Sequence, residues 1–376
     1  MINRPHRPDP AVHPLVAIAA GLALLSGIAG CGNSSSSGSP TEAISNELRA
    51  SGFADYLDVQ SPSRETQTGA WKNVFFDPAS EQAICLNGSE YEVSVHRGTS
   101  KDVMLYLQGG GACWDYLTCH VVKTATTNAN GAVETGIIDL SDPRNPFRDF
   151  NIVYGAYCDG SVFTGDATVD YNGIRTFHHG LWNLSVAVDA VKREFPDAAR
   201  IVVAGSSAGG YGTFAGYGVM RAAFPDTEII VFNDSGPGVQ NPAAEEDVLN
   251  RIKNWDFTKR IPASCTECDP QYTFLLDWAM VRDPSLRVAM YSYQRDGTIS
   301  GFLDMDGPSY QALLLDVTGE VHRRNPDRFE RFFPLGTKHT ILQYPEFYTQ
   351  TIDGVSVRDW TASFLDEGPG WTEVIE

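Results

Sequence analysis

Ile201-Val202-Val203-Ala204-Gly205-Ser206-Ser207-Ala208-Gly209-Gly210 is the stretch on which the reading of this chain turns. Its first four residues are wholly apolar, as expected of a strand covered on both faces. Residues 211–224, just beyond it, read as a helix. Between strand and helix stands the pentapeptide Gly205-Ser206-Ser207-Ala208-Gly209, a G-x-S-x-G pattern. Alone that pattern is weak, because Gly, Ser and Ala are common residues. Between a buried strand and a helix it is specific. The glycines permit a sharp, strained turn that lifts the Ser207 hydroxyl clear of the backbone. The helix N-terminus also favours developing negative charge. Ser207 is therefore the candidate nucleophile, against the plainer reading of a glycine-rich or phosphate-binding turn. Ser206 is a decoy, since only Ser207 sits at the central position.

Outward from this turn the chain alternates. Residues 103–107, 151–154, 229–232 and 288–291 are further short apolar runs. Leu181, Leu184, Val188 and Val191 recur at three- and four-residue steps and make one apolar helical face. Alternating strands and helices predict an α/β fold, α/β-hydrolase-like, with a mostly parallel central sheet and helices on both faces. Near the end, Asp353-Gly354 reads as a hairpin turn, and Trp360 and Phe364 as a closing helix.

A serine nucleophile of this kind needs a base, an orienting acid and donors for an oxyanion. Ala208, the residue after the nucleophile, supplies one amide, and the loop after an earlier strand should supply the second. Gly109-Gly110-Gly111-Ala112 follows the run 103–107 in that place, so Gly110, Gly111 and Ala112 are the candidate donors beside Ala208. The order in such folds is Ser, acid, His. His322 and His339 are the histidines downstream. His322 sits in a charged, solvated helical stretch, whereas His339 sits in the loop Gly336-Thr337-Lys338-His339-Thr340. His339 is the candidate base. Asp296, after the strand ending near residue 293, is the candidate acid. Asp234 is its rival, and Asp304 and Asp306 are outsiders. His178 and His179 precede the nucleophile and read as structural or substrate-facing.

The ends and the charge frame this chemistry. Arg4 and Arg7 precede an apolar run at 15–28, which is too short to span a bilayer. Ile28-Ala29-Gly30-Cys31 then resembles the bacterial lipobox. The expectation is a signal peptide over 1–30, then a lipidated Cys31 with a Ser-rich flexible tether over 31–46, then one catalytic domain over 47–376. That places the protein outside the cell membrane of a bacterium, on a lipid anchor. The chain of 376 residues carries a formal charge of −19. Such an excess of negative charge argues against nucleic-acid binding. Beyond Cys31 stand Cys85, Cys113, Cys119, Cys158, Cys265 and Cys268, an even number that reads as disulfides in an exported chain. Cys265-Thr266-Glu267-Cys268 lacks the second half of a zinc site, so no metal or cofactor is expected.

At this point the residues resemble the pectin acetylesterase family, which includes the animal carboxylesterase Notum. Tyr157-Cys158-Asp159-Gly160-Ser161-Val162-Phe163-Thr164-Gly165-Asp166 is similar to the family's YCDG-x-x-F-x-GD stretch, the most specific of the matches. Gly205 to Gly210 is similar to its nucleophile segment, with Ser206 where the family usually has Cys. Gln108-Gly109-Gly110-Gly111-Ala112-Cys113 resembles its GGGWC loop, with Ala112 in place of Trp. The likeness runs in patches over residues 73–342. It implies Ser207, Asp296 and His339 as a triad, and disulfides Cys85–Cys158 and Cys113–Cys119, leaving Cys265–Cys268 as the third. The expected function is deacetylation of an extracellular polysaccharide through an acyl-enzyme on Ser207, with short acyl groups preferred. The alternatives are removal of a longer acyl chain from a lipid or lipidated protein, and a ligand-binding lipoprotein that has lost catalysis.

Overall fold

A computed structural model describes residues 40–244, 251 and 253–376. The signal-peptide pattern, Cys31 and the Ser-rich stretch to residue 39 lie outside the described residues. Among the described residues, α-helices include α1 (Pro40–Ala50), α2 (Gly180–Glu194), α3 (Ala208–Ala223), α4 (Thr273–Arg282), α5 (Gly297–Phe302), α6 (Gly307–Arg324) and α7 (Val357–Asp366). The strands are β1 (Arg64–Thr68), β2 (Trp71–Phe76), β3 (Tyr91–His96), β4 (Val103–Leu107), β5 (Asn151–Gly155), β6 (Ala167–Tyr171), β7 (Ile174–His178), β8 (Arg200–Ser206), β9 (Glu228–Asp234), β10 (Val288–Tyr291), β11 (Phe329–Phe333), β12 (Thr351–Ile352), β13 (Val355–Ser356) and β14 (Val374–Ile375).

Ten strands form one sheet in the order β1-β2-β3-β5-β4-β8-β9-β10-β11-β14. Pairings from β1 to β5 are antiparallel, and those from β5 to β14 are parallel. Successive side chains of a strand point to opposite faces, and the parallel strands divide accordingly. Val103, Leu105, Ile201, Val203, Ile229 and Val231 enter one core, beside residues of α1, α2, α3, α4 and α6. Met104, Tyr106, Val202, Ala204, Ile230 and Phe232 enter the other, beside Trp360 and Phe364 of α7. Asp353 and Gly354, with φ of 48° and 85°, join the antiparallel pair β12–β13 as the expected hairpin turn.

One boundary differs from the expectation. The flexible stretch was expected to reach residue 46, yet α1 begins at Pro40. Ile44 and Leu48 are one helical turn apart and fully buried, and α1 packs on α3. That apolar seam orders a segment whose preceding residues are Ser-rich. The antiparallel edge β1–β3 and the hairpin β6–β7 were not read from sequence, because their strands are polar or half-exposed. All six expected cysteines are joined, Cys85–Cys158, Cys113–Cys119 and Cys265–Cys268.

Register aligns the chemistry at one edge of the sheet. Leu107 lies opposite Gly205, Ser206 opposite Asp234, and Asp234 opposite Tyr291. The glycine loop, Ser207, Asp234 and Asp296 all leave the carboxyl ends of these strands, where open α/β sheets bind ligands.

Candidate active site

β8 ends at Ser206 and α3 begins at Ala208, so Ser207 is the whole turn. Its φ of 57° and ψ of −118° are strained for a residue with a side chain, at a cost of about 1–3 kcal/mol. The turn is held by its amide, which donates to the Asp234 carbonyl at 2.8 Å. The flanking glycines are obligatory for contact rather than freedom. A Cβ on Gly205 would lie 2.2 Å from the Gly209 carbonyl oxygen, and one on Gly209 1.9 Å from that of Leu107.

Asp296 and His339 come together across 43 residues, with His339 Nδ1 2.7 Å from Asp296 Oδ2. Asp296 is fully buried. Its other oxygen caps α5, accepting the amides of Thr298 at 2.9 Å and Ile299 at 3.0 Å. The carboxylate is therefore fixed by the helix before it meets the imidazole, and the proton on Nδ1 leaves Nε2 as the basic nitrogen. Nε2 is buried and makes no hydrogen bond among the described residues.

The glycine loop is equally fixed. The Gly110 carbonyl accepts from the Thr126 amide at 2.8 Å, that of Gly111 from the Tyr157 hydroxyl at 2.7 Å, and that of Ala112 from the Thr124 hydroxyl at 2.6 Å. A rigid peptide plane carries its amide with its carbonyl, so these bonds also set the amides of Gly111 and Ala112. Gly111 has φ of 81° and leaves no room for a side chain, since a Cβ would sit 2.0 Å from the Thr124 carbonyl. Gly111, Ala112, Ser207 and Ala208 line one cavity of about 890 Å³, open mouth included. Gly110 is not among its lining residues; it packs against the Tyr157 ring instead.

The cavity walls are mostly apolar, with Trp114, Phe214, Trp255, Phe257, Tyr272, Phe302, Ile299 and Leu303, and its polar lining includes Thr164, Gln240 and Arg251. The Trp114 indole stands two residues beyond Ala112 and meets Phe302 edge-on at 6.4 Å. The Trp255 indole donates to the Cys113 carbonyl at 2.9 Å, tying this wall to the glycine loop. Sequence reasoning missed these walls. The spacing of Ile299, Phe302 and Leu303 was the one available signal, an apolar face on a single helical turn.

The rival residues have other partners. His178 is buried between the Asp159 carbonyl and the Tyr171 hydroxyl, and burial pushes its pKa down to about 3. His179 bridges the Gln82 carbonyl and the Thr168 hydroxyl, and burial lowers it too. His322 donates to the Phe329 carbonyl at 2.7 Å. Asp306 caps α6 through the Ser309 amide, and Asp304 closes the turn after α5 with φ of 51°. Asp234 faces backbone amides of the His339 loop and the Ser206 hydroxyl, not an imidazole. Burial pushes its carboxyl above the usual range, against the pull of those hydrogen bonds.

A serine at a strained strand–helix turn, with a buried Asp–His pair beyond the neighbouring strand, is the arrangement of an α/β-hydrolase-like protein. Residues 65–273 match the sequence model of the pectinacetylesterase family, and the chain belongs to that family. The matched segment holds Ser207 but ends before Asp296 and His339. Pectin acetylesterase 11 of Arabidopsis thaliana is 25% identical over 202 residues, 49% of this chain and 51% of that one. Pectin acetylesterase 7 of the same plant is 24% identical over 244 residues, covering 60% and 61%. Palmitoleoyl-protein carboxylesterase notum2 of Xenopus laevis is 29% identical over 136 residues, covering 34% and 28%. The chain thus spans about half to three fifths of the plant relatives and under a third of the amphibian one.

Proposed function

We propose that this protein is a serine carboxylesterase that works through an acyl-enzyme on Ser207. The observation that carries the reading is Ser207 strained at the wall of an apolar cavity, with the Asp296–His339 pair on the adjoining loops. Ser207 Oγ attacks the ester carbonyl carbon and its proton passes to His339 Nε2. Asp296 stabilises the imidazolium. Ala208 and the glycine loop offer amides to the oxyanion. The alcohol leaves with the proton from His339. Water then gives a proton to His339 and its oxygen to the acyl carbon, the bond to Ser207 Oγ breaks as Oγ takes that proton back from His339, and the carboxylic acid departs.

Two acyl groups are in contention. The pectin acetylesterase relatives favour acetate on a polysaccharide. The cavity favours a longer apolar acyl chain, since an acetyl group would leave most of its aromatic wall bare, and we place this reading first. Each methylene buried there is worth about 0.8 kcal/mol, or roughly fourfold in kcat/KM. Ser207 should be labelled by a fluorophosphonate, and Ser207→Ala should lose both label and activity. kcat/KM on soluble esters should rise from acetyl to at least octanoyl. A maximum at acetyl would return the assignment to polysaccharide deacetylation.

Export with a lipid on Cys31 belongs to the same proposal. It is supported by the leader pattern and by three disulfides, which suit an oxidising compartment. Cys31→Ser should move the protein from membrane to soluble fractions with activity on soluble esters intact. Retention on membranes would remove the anchor from the proposal.

A further inference from the structure

Asp234 is fully buried at the end of β9, and its partners come from both halves of the site. From the nucleophile turn, the Ser206 hydroxyl donates to Oδ2 at 2.6 Å, and the Ser207 amide donates to the Asp234 carbonyl at 2.8 Å. Since Ser206 gives its proton to Asp234, it accepts from the Tyr106 hydroxyl at 2.8 Å. From the His339 loop, the Ile341 and Leu342 amides each donate to Oδ2 at 3.0 Å. The Thr340 amide donates to the Ser235 hydroxyl at 3.1 Å. Thr340 has φ of 58°. That kink helps turn successive amides of the loop to one side, a backbone nest for an anion. The anion it encloses is Asp234.

We propose that Asp234 is a positioning residue that holds the loop of the base in register with the turn of the nucleophile. His339 is then fixed twice. Asp296 grips its imidazole, and Asp234 with Ser235 grips the backbone immediately after it. The inference rests on the serine-esterase reading of Ser207 and His339. The carboxylate is essential to the role because every group facing its two oxygens is a donor. An amide at 234 would present its own N–H₂ to one of those donors and lose the grip on that side.

The test compares Asp234→Asn and Ser235→Ala with the wild-type full-length protein, using a soluble ester and a fluorophosphonate. The end point of labelling counts competent sites, so kcat is expressed per labelled serine. A displacement of about 1 Å at a reacting group can cost on the order of 100-fold. Asp234→Asn should lose about that much kcat, and Ser235→Ala, which releases the Thr340 amide and one hydroxyl donor to Asp234, about 10-fold. KM should stay within about twofold in both, because neither residue lines the acyl cavity. Ser235→Ala buries no new charge and should lower stability only by the cost of one unsatisfied buried amide, so it decides the matter if Asp234→Asn does not fold. Wild-type kcat per labelled site in Ser235→Ala, with normal label, overturns the positioning role alone. Absence of label on wild-type Ser207 overturns the esterase reading and this inference together.

Discussion

Asp296 and Asp234 invite comparison because sequence and burial treat them alike. Both follow strands of the parallel half of the sheet, both lie between Ser207 and His339 in the chain, and both are completely shielded from solvent. Their partners differ in kind. Asp296 accepts from an imidazole whose other nitrogen has no partner among the described residues, and its second oxygen is taken up by capping α5. Asp234 accepts from two backbone amides and two hydroxyls, that of Ser235 and that of Ser206, the latter itself held by a tyrosine. Backbone amides do not titrate in the working range, so Asp234 can orient but cannot relay. What a buried carboxylate does is decided by the chemistry of the donor it faces, not by its depth or its place after a strand.

The comparison breaks most sharply at Asp296. Asp296→Asn should lower kcat by about 10⁴, the order seen when a triad acid becomes an amide and the base takes the wrong tautomer. Asp234→Asn should lose far less. The measurement is kcat per labelled Ser207 for both variants in one assay. Equal losses would mean that the two carboxylates share the triad role.

Much of the candidate site was legible in the chain, for identifiable reasons. Ser207 is announced by local context, a buried strand, two close-contact glycines and a helix within a dozen residues. His339 emerged because the other downstream histidine lies in a charged helix. Asp296 and Asp234 both follow strands between Ser207 and His339, and the family resemblance was what added weight to Asp296. Nothing near residue 234 encodes amides 107 residues away, and every residue but proline carries the same amide, so its grip on the base loop leaves no trace in sequence. The aromatic cavity was hidden for a related reason: Trp114, Phe214, Trp255 and Phe302 come from four separate segments and meet only in the fold.

A third buried aspartate sharpens the contrast on the stability side. Asp283 accepts from Arg221 at 2.6 Å and from the Tyr217 hydroxyl at 2.9 Å, and the Arg221 side chain is wholly buried. Here the donor is a fixed cation. Asp283→Asn strands that cation, which typically costs about 3–5 kcal/mol. Urea unfolding should register the loss, while kcat per labelled serine stays at the wild-type value. A fall in kcat with unchanged unfolding would contradict a purely structural role.

The smallest effect concerns Asp159, the buried acid whose partners run short. Oδ1 accepts the Ser161 amide at 2.7 Å, the Ser161 hydroxyl at 2.6 Å and the Phe163 amide at 3.3 Å, while Oδ2 has no partner among the described residues. Burial pushes its pKa up to about 6, against those hydrogen bonds. The folded state therefore holds a proton that the unfolded chain has already released between the ordinary carboxylate range and pH 6. Stability from this group falls as pH rises through that window. The loss is on the order of 2–3 kcal/mol between pH 4 and pH 7, because a tenfold difference in proton affinity between the two states is worth about 1.4 kcal/mol. Asp159→Asn keeps an oxygen for the turn and has no charge to bury. Relative to wild type, its unfolding free energy should therefore gain by that amount over the same interval. A difference between the two proteins that stays constant with pH would show that Asp159 binds its proton no more tightly in the folded state than in the unfolded chain, and would overturn this prediction.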